Sequence, residues 1–230
     1  MHDYLADRLH PIKRNRPIAS GLVSIKTAKI LFVVLSVVGL VCAAYLSRPF
    51  FCVLVIYFLL NVLYCLWLKK IAIIDVYCIA FGFILRVVAG AQLVDVTLSV
   101  WILMCTGLLA LFLALAKRRD DLVNHLDAAH RASMRGYSVI FIDTSIAITL
   151  SALFIAYAIY TTLTMTELHL GTAHFYLTVP LVLFGILRYL QLTLVEEKSG
   201  SPTTLLYTDK ILLFTAVLWV IFSAGLMYWR

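Results

Sequence analysis

Two carboxylates, Asp3 and Asp7, stand four residues apart at the start of the chain. In a helix, side chains at i and i+4 share one face about a turn apart, which suits a single divalent cation. Mg2+ takes oxygen ligands and usually joins one or two carboxylates to substrate phosphates, so the spacing points to a phosphorylated substrate. A solvated helix at a membrane surface would carry the same pair. Just downstream, Lys13, Arg14 and Arg16 lie between Pro11 and Pro17. Proline stops a helix and fixes the turn around it, so these cations sit on a rigid loop. Such a loop beside an acidic pair fits an anionic phosphate and its metal, and it equally fits anionic lipid headgroups. A second polar stretch, Lys117, Arg118, Arg119, Asp120 and Asp121, follows the fourth apolar run directly. Three adjacent cations there match a lipid phosphate, as they would match a signal that holds the loop on the inner side.

The elements that position these residues follow from hydropathy. Of the 230 residues 63% are hydrophobic and 13% charged, and the mean hydropathy of +0.99 requires lipid as solvent. Seven apolar runs, roughly 30–46, 50–67, 74–91, 98–116, 139–162, 176–194 and 211–228, are each close to the roughly 20 helical residues that cross a bilayer. They are continuously apolar, without the alternation of a membrane β-barrel. The expected fold is therefore all-α, a polytopic membrane bundle of about seven transmembrane helices. One domain, 1–230, is expected, because no Gly/Ser/Pro-rich linker or repeat interrupts the chain. The start, MHDYLADRLHPIKRNRP, lacks the basic and apolar pattern of a cleavable leader.

Of the 19 Lys and Arg residues, all except Arg48, Arg86, Arg188 and Arg230 fall in segments on the same side as the N-terminus. The positive-inside rule then places the N-terminus and the candidate loops in the cytoplasm, with the protein in the inner (plasma) membrane. The net charge of +7 belongs to that surface and its phosphates, and no nucleic-acid partner is expected. Inside the runs, Arg86, Arg188 and Asp143 are costly in hydrocarbon and should face the bundle interior or a wet cavity. Arg188 and Asp143 lie at similar depth, roughly 6 to 9 Å from the inner end at 1.5 Å per residue, and are expected to pair. Arg86, roughly 18 Å up its run, has no acid at matching depth; it is a cavity cation or it snorkels. The cysteines, all within apolar runs and without metal-ligand spacing, read as small core residues.

These segments resemble a known family. Asp3-x-x-x-Asp7-Arg8 followed by His10 to Gly21 is similar to the first signature of the UbiA prenyltransferase superfamily, N-D-x-x-D-x-x-x-D with a basic R-P-x-x-x-G tail. Tyr64 to Lys69, Asp75 to Ala91, Leu113 to Leu122, Gly185 to Tyr189 and Thr208-Asp209 look like the same family in the same order. The stretch Lys117 to Arg119 resembles most the decaprenyl-phosphate phosphoribosyltransferase branch, in which it replaces a second aspartate-rich motif. A monophosphate acceptor and a phosphoribosyl diphosphate donor call for more cations than an ordinary prenyl transfer does.

The resemblance implies a transferase that moves 5-phosphoribose from phosphoribosyl diphosphate to a polyprenyl, for example decaprenyl, phosphate. Asp3 and Asp7 would be catalytic and hold Mg2+. Lys13, Arg14, Arg16, Lys117, Arg118 and Arg119 would bind substrate phosphates, and Asn61, Tyr64, Lys69, Arg86 and Arg188 would line the cavity. The partners are a polyprenyl lipid, phosphoribosyl diphosphate or a prenyl diphosphate as donor, and membrane lipid. One alternative is prenyl transfer from a polyprenyl diphosphate to an aromatic or other small acceptor, with Asp120, Asp121 or Asp127 completing a second metal site. Another is an inactive fragment or scaffold. The family's opening Asn-Asp and the two spans before it have no counterpart in the sequence, so a UbiA-like fold lacking its first two helices is expected.

Overall fold

The computed structural model describes residues 8, 13–123, 134, 136–163, 172, 174–196 and 202–228. Eight α-helices are present among them: α1 Ile25–Leu46, α2 Arg48–Leu66, α3 Ile74–Val94, α4 Val100–Val123, α5 Val139–Thr162, α6 Val179–Leu194, α7 Pro202–Thr208 and α8 Lys210–Tyr228. Seven of the helical segments, all but α7, are long and apolar enough to cross a membrane. The expected all-α bundle of seven spans is the fold observed.

Local chemistry sets the helix starts. Ser24 and Ser138 each accept a bond from a backbone N–H three residues on, Thr27 N and Phe141 N, both at 3.1 Å, and so cap α1 and α5. Proline in the first turn opens α2 and α6, where its missing N–H costs no helical bond. Asp209 caps α8 by accepting from Leu212 N at 2.8 Å.

Each spanning helix packs on the next in the chain, and α6 pairs with α8. The chain thus runs up and down the membrane, and residues 66–75, 117–123, 136–139, 192–196 and 202–210 gather at one end, here the polar end. The packed core lies in α3 to α8, around Val76, Phe112, Leu115, Ile142, Tyr189 and Leu192. Helix α1 buries only Ala28 and Ala43, and α2 buries no residue. Their apolar flanks, with Val33, Leu35 and Ile56 about half exposed, lie on the outside of the described bundle.

Three sequence expectations are corrected. The stretch Lys117 to Asp121 is not a loop: α4 continues through it to Val123, because the buried arginines there find partners on neighbouring helices. The inner segment from Glu196 to Lys210, expected as a loop, holds a short helix, α7, before α8. Cys42, Cys52 and Cys65 are exposed on the flanks of α1 and α2, not packed in a core, since those two helices bury so little.

Candidate functional site

At the polar end, Arg118 on α4 is 2% exposed and donates from Nε to Asp75 Oδ2 at 2.8 Å. Its Nη1 reaches Asp121 Oδ2, one turn on, at 3.4 Å. Asp75, fully buried in the first turn of α3, also accepts from the Tyr137 hydroxyl at 2.6 Å. That same hydroxyl accepts the backbone N–H of Ile73 at 2.7 Å. Ile73 has φ of 70°, a conformation that a β-branched residue adopts only when its surroundings enforce it. Burial, and then the bond to Asp75, push the Tyr137 phenol above its ordinary pKa. Three segments of chain, the start of α3, the end of α4 and Tyr137 just before α5, are thus tied around one buried carboxylate.

Arg119 makes a second tie. Its Nε donates to Asp143 Oδ1 on α5 at 2.5 Å, and its Nη2 to the Thr193 carbonyl on α6 at 3.0 Å. A third centres on Arg188, whose Nη2 bonds Asp209 Oδ2 at 2.6 Å and whose Nη1 bonds Glu196 Oε1 at 2.8 Å. The expected pair of Arg188 with Asp143 is therefore not formed. The two residues sit at similar depth, but Asp143 is taken by Arg119, and Arg188 turns toward the cap of α8. Buried charges persist only when paired, and loss of one partner typically costs about 3–5 kcal/mol.

The expected site residues are distributed as follows. Asp3 and Asp7 lie outside the described residues. Lys13 begins a 3-10 turn, Lys13–Asn15, and Arg14 and Arg16 are exposed beside it. Arg8 Nε donates to the Ala19 carbonyl at 3.1 Å, tying the N-terminal segment to this turn. Of the Lys117 to Arg119 stretch only Lys117 is exposed; Arg118 and Arg119 are buried in the ion pairs above. Lys69 is half-buried in the 3-10 turn Leu68–Lys70. Among the described residues no three His, Cys, Asp or Glu side chains converge as a metal site, so none of them tests a fit for Mg2+.

Asn61, Tyr64 and Arg86 do come together. They line a cavity of about 110 Å3 between α2 and α3, with Tyr57, Cys78 and Phe83. Cys78 is one turn from Asp75 on α3, so the cavity ends next to the Arg118 cluster. Lys69 and Arg188 are not among its walls. Sequence reasoning missed Asp75, Tyr137, Asp209 and Tyr57. A carboxylate heading an apolar run is a usable signal for Asp75; a tyrosine within or beside such runs gives none.

The family model of the UbiA prenyltransferase family matches residues 1–213. This chain belongs to the UbiA prenyltransferase family. Decaprenyl-phosphate phosphoribosyltransferase of Corynebacterium glutamicum is 30% identical over 224 residues, covering 95% of this chain and 67% of the relative. The enzyme of the same name from Mycolicibacterium smegmatis is 32% identical over 160 residues, 69% of this chain, and that match spans only half of the relative's length (50%). A solved UbiA homolog from Archaeoglobus fulgidus bound to DMAPP and Mg2+ superposes with a TM-score of 0.70 at 18% identity, over 98% of this chain and 80% of that one. The same homolog bound to GPP and Mg2+ gives a TM-score of 0.71 at 17% identity. The UbiA fold and an integral membrane location follow for this chain.

Proposed function

We propose that this UbiA-family protein transfers 5-phosphoribose from phosphoribosyl diphosphate to a polyprenyl phosphate at the cytoplasmic face of the inner membrane. One observation carries the reading. Beside Lys117, Asp121 is committed together with Asp75 to Arg118, and Asp143 to Arg119; Asp127 lies outside the described residues. Among the described residues no three acids gather there, whereas exposed cations, Arg14, Arg16 and Lys117, are present. The names of the two bacterial relatives point the same way.

In this reading the bond from ribose C1 to the diphosphate oxygen breaks and a bond from C1 to an oxygen of the lipid phosphate forms, with diphosphate leaving. Charge stabilisation and positioning do most of the work, since the oxocarbenium-like centre needs a stabilised leaving group more than a strong base. Lys13, Arg14 and Arg16 neutralise the donor's phosphates, and Lys117 attracts the second phosphorylated substrate. Arg118 and Arg119 fix α4 so that Lys117 faces outward. Asp3 and Asp7 are assigned to Mg2+ on their spacing, the ion supplying charge neutralisation to the departing diphosphate.

The test offers the protein, reconstituted in nanodiscs, labelled phosphoribosyl diphosphate with decaprenyl phosphate, and in parallel a labelled prenyl diphosphate with aromatic acceptors. Label from the ribose donor should enter the lipid extract, and Lys117→Ala should raise KM about tenfold with little change in kcat, as loss of a ground-state contact does. Consumption of the prenyl donor alone would establish prenyl transfer instead. Consumption of neither would favour a scaffold.

A further inference from the structure

Charge is divided unevenly along the chain, and the excess lies outside the arginine clusters. Residues 8–74 hold nine Lys and Arg and not one Asp or Glu. The buried arginines of α4 and Arg188 of α6 are met by carboxylates. Lys26, Lys29 and Lys70 are exposed, and among the described residues no carboxylate pairs with them. Backbone geometry sets all three at one level. Ser47 alone links α1 to α2, and the two helices pack on each other, so the start of α1 stands at the height of the end of α2. Lys26 and Lys29, near the start of α1, are thus level with the turn Leu68–Lys70. Trp67, the C-cap of α2, is 63% exposed at the same height, and its carbonyl accepts the Lys70 N–H at 3.0 Å.

Like charges at one level repel, and Lys26 also stands at the positive end of the α1 dipole, with no acid in that first turn. An anion relieves both repulsions, and the surroundings select its kind. Toward mid-span from the lysines, Ile30, Leu31 and Val33 of α1 and Leu63 and Leu66 of α2 are about half exposed or more. Cations and an exposed tryptophan above such a surface form the pattern of a membrane interface on its cytoplasmic side. A ligand that matches the whole pattern has a negative headgroup and long apolar chains. Phosphoribosyl diphosphate has the charge without the chains, and phosphatidylcholine has the chains without net charge. The two helices also draw least from the core, α1 burying Ala28 and Ala43 and α2 no residue, so a ligand across their ends adds a contact that the packing does not supply.

We infer that the polar ends of α1 and α2 bind an anionic phospholipid, its headgroup on Lys26, Lys29 and Lys70 and its chains along the two helices. This lipid is no substrate, and the inference stands whichever group the protein transfers. The protein in phosphatidylcholine nanodiscs is titrated with brominated phosphatidylglycerol or brominated phosphatidylcholine, and the part of the tryptophan quenching that Trp67→Phe removes reports the site. Phosphatidylglycerol should be preferred there by roughly tenfold or more, and each of Lys26→Gln, Lys29→Gln and Lys70→Gln should cut the preference by up to about fivefold. The triple variant should abolish it, and Arg48→Gln, at the opposite end of α2, should leave it unchanged. In 1 M salt, where the Debye length falls to about 3 Å, the preference of the parent should vanish. Equal quenching by the two lipids overturns the proposal, as does a preference that survives in the folded triple variant. If that variant does not fold, a preference that persists in 1 M salt does the same. Displacement of phosphatidylglycerol by phosphoribosyl diphosphate or by farnesyl phosphate would assign the lysines to a substrate and overturn it as well.

Discussion

Tyr137 shows how one hydroxyl can stabilise a backbone conformation that the sequence alone would disfavour. It gives its proton to Asp75 and takes the N–H of Ile73, whose φ of 70° costs on the order of 1–3 kcal/mol. Tyr137→Phe removes both bonds and leaves a buried carboxylate short of a donor, so unfolding stability should fall by about 1–3 kcal/mol. The pH dependence follows from the direction of the shift. A tyrosine whose folded pKa is raised contributes stability that is fully present below the unfolded value, about 10, and is lost only as pH rises through the folded one. The stability gap between parent and Tyr137→Phe should therefore stay constant from pH 6 to 9, measured by thermal unfolding in detergent. A gap that closed within that window would show that the phenol ionises there and is not held by Asp75.

Contacts between elements offer a sharper test, because two glycines sit at close approaches of different stiffness. A Cβ on Gly136 would lie 2.6 Å from the Cβ of Ala72, and neither atom can rotate away. A Cβ on Gly107 would meet the tip of Ile84 at 2.8 Å, and that tip can change rotamer. Gly136→Ala should therefore cost about 1–3 kcal/mol, the range of forced overpacking, and Gly107→Ala clearly less. Thermal unfolding of the two variants side by side checks the order. This scale also shows what the sequence made legible. The seven spans were readable because a membrane helix must be apolar along its whole length, and their ends agree with the structure within a few residues except in α4. There the helix runs on through Lys117 to Val123, because Asp75 and Asp143 on neighbouring helices compensate its charges. Partner choice among buried charges depends on which face each helix turns inward, so depth alone matched Arg188 with Asp143 when the structure gives it Asp209. The meeting of Asn61, Tyr64 and Arg86 was expected only through the family resemblance; nothing in their spacing placed Tyr57 against Arg86.

Across the whole molecule, the packing of each span on its successor puts every described arginine-carboxylate cluster at one end of the bundle. The same end holds Lys26, Lys70 and Lys210, all exposed, while Thr97 lies in the turn between α3 and α4 at the other. A water-soluble donor such as phosphoribosyl diphosphate has to arrive at the polar end, so the proposed activity requires that end to face the cytoplasm. The charge bias of the loops points the same way, since basic segments are retained on the inner side. With the five native cysteines replaced by alanine, single cysteines at positions 26, 70 and 210 should react with a membrane-impermeant maleimide only after the cells are opened. Thr97→Cys should react in intact spheroplasts. Positions 70 and 210 labelling from opposite faces would break the up-and-down order of the bundle and with it the shared site. Labelling of 26, 70 and 210 all from outside would keep the bundle but reverse it, and the cytoplasmic donor would then have no access to Lys117.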